Sequence, residues 1–133
     1  MTKSNTTEVD VLAKLYKNTA ISWDAAVSLQ VNFHTADPGE AGTTATNAPT
    51  YTGYLPVTVG RDGAAWSGTN PLSNAALLQF PECNGGSDAL THASTSPLGS
   101  TTIIHSGPLN ATLNVSLGIQ PQFNPGALTI TED

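Results

Sequence analysis

The chain is short of charge, of cysteine and of aromatic side chains, and each scarcity narrows what it can be. Charged residues fill 11% of its 133 positions, against about 25% in an ordinary soluble domain. Four are basic and ten acidic, for a net charge of -6. Nucleic-acid binding draws much of its affinity from lysines and arginines that displace counterions from phosphates, so no nucleic-acid partner is expected. The same balance argues against docking on an anionic membrane surface. Cys83 is the sole cysteine, which rules out a small fold stapled by intrachain disulfides. In "FPECNGG" it reads as a small buried hydrophobe, because no neighbouring histidine is there to activate it. Aromatics make up 6%, sparse for a face that stacks on sugar rings. No run approaches the ~18 apolar residues of a membrane span, and "MTKSNTTEVDVLAKLYKN" lacks the continuous apolar core of a signal peptide, so a soluble compartment is expected.

What is present is patterned. The length suits one domain with its own core. In "TTEVDVLAKLYKN", Val9, Leu12, Leu15 and Tyr16 recur at helical spacing, with Thr7 as the expected N-cap and Glu8 and Asp10 in the first turn, where the helix dipole favours acids. The period then changes from helical to alternating. Val27, Leu29, Val31 and Phe33 alternate with Ser28, Gln30, Asn32 and His34; Leu109, Ala111, Leu113, Val115 and Leu117 alternate with Asn110, Thr112, Asn114 and Ser116. Each run predicts a strand with its apolar set inward and its polar set outward. Further strands are expected at 51–60, 64–68, 75–81, 89–95, 101–107 and 127–132, each bounded by glycine, proline or asparagine. Pro56, which cannot donate to a ladder, belongs at an edge or a bulge. About eight strands without crossover helices predict an all-β fold, a two-sheet antiparallel sandwich or jelly roll. The expected organisation is an arm or short helix over 1–18 and a sandwich over 19–133.

Chemical motifs are scarce. "VNFHTADPGEAGTTATN" places a histidine and two carboxylates where the strand pattern breaks. Pro38 and Gly39 suit a tight turn that Asp37 caps with its side chain. A metal site would need His34, Asp37 and Glu40 to converge, and no recognised ligand spacing supports it, so the segment reads as a corner of the fold. His92 and His105 have no acid beside them. No nucleophile elbow, phosphate-binding glycine loop or zinc-protease motif occurs, and no enzyme and no cofactor are expected. The triplets "NTT", "NAT" and "NVS" match a glycosylation acceptor, as a chain rich in serine and threonine will by chance. Tyr51, Tyr54 and Trp66 are the candidates for a sugar-stacking platform, against the commoner role of strand aromatics as core.

Several segments together resemble a known group. "NTAISWDAAVSLQVNFHTADPGEAGTTATN", "YTGYLPVTV", "AAWSGTNPLSNAALLQFPECNGG", "LTHAST" and "FNPGALTITED" are similar, in order and over nearly the whole chain from Leu12 onward, to small virion structural proteins of tailed bacteriophages. Members are described as capsid cement or decoration proteins with a jelly-roll fold, or as tail-fibre proteins. Ala93 and Ser94 stand where the family often has an aromatic and a glycine after "TH". The resemblance implies a protein made in the host cytoplasm and carried on the virion. The expected function is a capsid cement protein that binds the outer head surface, with the major capsid protein and its own copies, as homodimer or homotrimer, for partners. Val9, Leu12, Leu15 and Tyr16 are the expected capsid or oligomer contact. The alternative is a tail-fibre or other tail component that binds a host surface glycan through Tyr51, Tyr54 and Trp66.

Overall fold

A computed structural model describes residues 1–132. One helix, α1 (Asn5–Lys17), accompanies ten strands. Five strands form the main sheet, in the order β1 (Thr2–Lys3), β8 (His105–Val115), β7 (Asp88–Pro97), β2 (Ser28–His34), β3 (Val57–Gly60). A three-stranded sheet runs β10 (Thr129–Ile130), β5 (Leu72–Asn74), β4 (Trp66–Gly68), and β6 (Leu78–Gln79) pairs with β9 (Gln122–Phe123). All pairings are antiparallel. The fold is therefore all-β with one short helix, as the alternation predicts. Among the described residues no helix is long and apolar enough to cross a membrane.

Register explains the core. Leu29, Val31 and Phe33 of β2 stand opposite Pro97, Thr95 and Ala93 of β7, and directly opposed residues share a face. On that face Phe33 meets Phe80 and Phe123 at centroid distances of 4.3 and 5.3 Å, and Val59, Leu90, Val115 and Leu128 close the cluster. Burying one such side chain is worth about 1.5–3 kcal/mol. Cys83 lies in the same cluster, fully buried, in the role expected of it.

The other face departs from expectation. Gln30, Asn32 and His34 are buried rather than outward, as are their neighbours Ser94 and Ser96. The chain after His34 does not leave the sheet; it folds back as a strap across this second face. Thr43 bridges Thr102, the Thr44 N–H donates to the Thr101 carbonyl, and the Thr35 N–H donates to the Asn47 carbonyl at 2.8 Å. Beneath it the polar side chains satisfy one another: Gln30 donates to Asn32, and Asn32 donates to Ser94 and Ser96. A buried polar row costs little when each member finds a partner.

Other boundaries shift for local reasons. Ser4, not Thr7, caps α1: its hydroxyl accepts from the Thr7 N–H at 3.2 Å while Thr7 is buried. Asn18 ends the helix in the left-handed region, donating its N–H to Ala13, as helix ends favour. Val27 precedes β2 and Leu117 follows β8, so both are exposed rather than inward. The segments expected as two strands, at 101–107 and within 109–117, contribute to one strand, β8, which starts only at His105 and is interrupted where residues 109–112 bulge away from β7. Of 51–60 only Val57–Gly60 is strand, because the Thr50 and Tyr51 N–H groups both donate to Asp88 at 2.7 Å and hold a turn. Pro56 lies just before β3, the edge strand.

Candidate functional site

Three regions carry the residues that the sequence singles out. The first is α1. Its body-facing side is modest, with Thr7 buried and Val11 half-buried. Thr2 and Lys3 pair with Ser106 and His105, so the segment expected as a separate arm begins inside the main sheet. The Asn5 N–H donates to Glu40 of the strap, Lys14 pairs with Asp24 at 2.8 Å, and Ser22 donates to Asp10. These contacts fix α1 with its apolar side turned out. Val9, Leu12, Leu15 and Tyr16 are between 59% and 81% exposed. Four large apolar side chains thus stand together in solvent on one surface element.

The second region is the His34 corner. His34 is fully buried; its Nδ1 lies 2.7 Å from the Thr46 carbonyl and its Nε2 2.8 Å from the Ser94 hydroxyl. A carbonyl only accepts, so Nδ1 carries the proton and Nε2 accepts from Ser94. Burial pushes the imidazole below its ordinary pKa. Asp37 accepts from the Gly39 N–H at 2.8 Å, as a turn cap should. At Gly42 a Cβ would fall 2.0 Å from the Pro38 carbonyl oxygen, so only glycine fits this turn. Among the described residues no group of three His, Cys, Asp or Glu side chains is placed to hold a metal. His34 and Asp37 thus serve the strap.

The third region concerns the aromatics, which the structure does not gather into one platform. Tyr51 is 3% exposed and meets Tyr54 edge-on at 5.5 Å. Tyr54 accepts from the Phe33 N–H at 2.9 Å, and burial pushes its hydroxyl pKa up to about 12. Both tyrosines are structural. Trp66 lies apart from them, anchored by donation from Nε1 to the Gly60 carbonyl at 2.9 Å. It lines a groove of about 620 Å³ between α1 and the two larger sheets, with Trp23, Leu29, Leu72, Ile104 and Ile130 as its apolar walls. Arg61 stands at the rim, 5.5 Å above the Trp23 ring, its Nη1 donating to the carbonyls of Trp23, Asp24 and Ala26. Trp23 and Arg61 escape sequence reading because both lie outside the strand runs; "SWDAA" carries no periodic signal.

Carboxylates around this groove are already engaged. Asp62 accepts from the Ala64 and Ala65 N–H groups, both at 2.9 Å. Glu132 accepts from Lys3 and contacts His105, and the lysine holds its carboxyl below the usual range. Burial lowers the His105 imidazole despite that acid.

A family model described as podophage GP4 fiber I protein gp80 matches residues 2–131. The chain belongs to this family. It is accordingly a bacteriophage virion structural protein of a fibre-related group, in keeping with the resemblance seen along the sequence. No curated protein matches the chain.

Proposed function

We propose that this protein is a fibre-type structural subunit of the phage virion that joins its neighbours through the apolar stripe of α1. The observation that carries the reading is the outward-turned set Val9, Leu12, Leu15 and Tyr16, held in place on a helix whose side-chain ties, Lys14 to Asp24 and Asp10 to Ser22, lie on its other side. Burying such a stripe drives association, and many copies in one particle multiply a modest contact. The scaffold in this reading is jelly-roll-like and stiff, supported by antiparallel sheets around one core. Capsid cement and fibre subunit share these requirements; the family description moves the weight from the first to the second. Host-glycan binding by Tyr51 and Tyr54 is not part of the proposal, because their rings are taken up by the core.

Copy number relative to the major capsid protein, measured by mass spectrometry of purified virions, tests the location. A small number per particle, together with antibody labelling of projecting fibres, is the expected result. Stoichiometry near that of the shell subunit would return the protein to the capsid surface. Leu12→Asp tests the stripe itself: the variant should fold with unchanged thermal stability and fail to enter particles. Incorporation at the wild-type level would refute the role given to α1.

A further inference from the structure

The chain carries two unfilled apolar surfaces, the α1 stripe and the Trp23–Trp66 groove, and they cannot meet within one molecule. Thr7 and Val11 of α1 already line the groove, and at 100° per residue the stripe lies on the opposite side of the same helix. We propose that a second copy of this chain seats its α1 stripe in the groove, a head-to-tail contact repeated from copy to copy. This rests on the reading of the stripe as an assembly contact and names what it meets.

Charge complementarity selects this occupant. On the helical wheel Glu8 falls between Leu12 and Leu15, inside the stripe, and among the described residues it makes no ion pair. The carboxylates near the groove are spent on internal partners, Asp62 on backbone N–H groups and Glu132 on Lys3 and His105. Arg61 at the rim has no carboxylate contact among the described residues, its hydrogen bonds going to carbonyls. An incoming stripe thus brings an acid that makes no ion pair to a base whose carboxylate neighbour, Asp24, is paired with Lys14. Because donor and acceptor surfaces differ, the contact is heterologous: it closes into a ring when the rotation allows and otherwise grows into a filament. Either product suits a fibre.

Engineered cysteines separate the possibilities, since the native thiol Cys83 is buried. Leu12→Cys places a thiol on the exposed stripe, and Gly63→Cys places one at the groove, where an added Cβ meets nothing within 4 Å. Under mild oxidation, chains with Leu12→Cys mixed with chains with Gly63→Cys should form disulfide dimers, and neither variant alone should. Adding Glu8→Arg to the stripe partner should slow the mixed reaction at least about tenfold, as like charges meet at Arg61. Cross-linking of the Leu12→Cys variant by itself would show stripe meeting stripe, overturning this proposal while leaving α1 an assembly contact. A wild-type chain that stays monomeric by light scattering, with no cross-link in the mixture, also overturns it. If in that case host polysaccharide shifts the tryptophan fluorescence, the groove is a glycan site. Failure of Leu12→Asp to enter particles would then still support the stripe's role in the virion with a different partner.

Discussion

Asn74 offers the sharpest test of how the two smaller sheets are held to each other. It is 1% exposed, and its side chain ties three stretches of chain together. Nδ2 donates to the Ala76 carbonyl at 2.8 Å and to the Asn124 carbonyl at 2.9 Å, while Oδ1 accepts from the Leu128 N–H at 2.9 Å. Asn74→Ala leaves the Leu128 N–H without an acceptor in a buried position, a loss of about 1–3 kcal/mol. The two donated bonds add roughly 0.5 kcal/mol each, at the low end because their carbonyls lie on exposed residues that water can reach. The sum is about 2–4 kcal/mol, a large part of the ~5–15 kcal/mol that holds a typical domain folded. Urea unfolding followed by circular dichroism measures it as a lower midpoint with unchanged slope. Asn124→Ala is the control, since that exposed side chain only accepts from Gln122, and its cost should stay within ~0.5 kcal/mol. An Asn74→Ala midpoint equal to that of the control would refute the reasoning.

Three further outcomes are expected. His34 has its pKa lowered in the folded chain by burial, so the unfolded chain binds the proton more readily; stability should be full above the ordinary histidine value of about 6.5 and fall as pH drops below it. Thermal melts across that range should show the decline, and His34→Gln should shallow it without abolishing it, because His105 is lowered in the same direction; an unchanged slope would contradict the assignment. Phe33→Ala, which empties the centre of the aromatic cluster, should cost about 3–5 kcal/mol in a denaturant titration. Cys83 should resist a thiol reagent in the native protein and react rapidly in denaturant, since its Sγ is enclosed with the Gly85 carbonyl at 3.2 Å; fast native labelling would count against its burial.

The sequence is legible where one face of an element does the work and obscure where two do. α1 stands out because Val9, Leu12, Leu15 and Tyr16 keep helical spacing, and their exposure does not alter the pattern. In β2 the alternation correctly separates Val31 and Phe33 from Asn32 and His34, yet it cannot show that the polar set is buried, because that depends on a strap of Thr, Ala and Gly with no period of its own. Leu117 continues the alternation of β8 past the point where the chain turns away, so pattern alone overextends the strand. Very short strands such as Leu72–Asn74 and Gln122–Phe123 are set by pairing with distant partners, which local propensity does not record. The groove is obscure for the same reason: Trp23, Trp66 and Ile130 come from three distant stretches, and only the packing of the sheets brings them together.

The placing of the ion pairs divides the molecule by its response to ionic strength. Among the described residues they join Lys3 to Glu132, Lys14 to Asp24 and His105 to Glu132, so two of the three fasten the N-terminal strand and helix. The buried polar row and the Asn74 tie are made of neutral groups. Added salt weakens interactions between exposed charges, with a screening length of about 10 Å at 0.1 M, and leaves neutral hydrogen bonds nearly untouched. Changing salinity therefore acts on the posture of α1, and on the surface it presents to neighbours, while the β body stays as it is. A particle that passes between media of different salt content carries in this subunit an adjustable attachment on an indifferent frame.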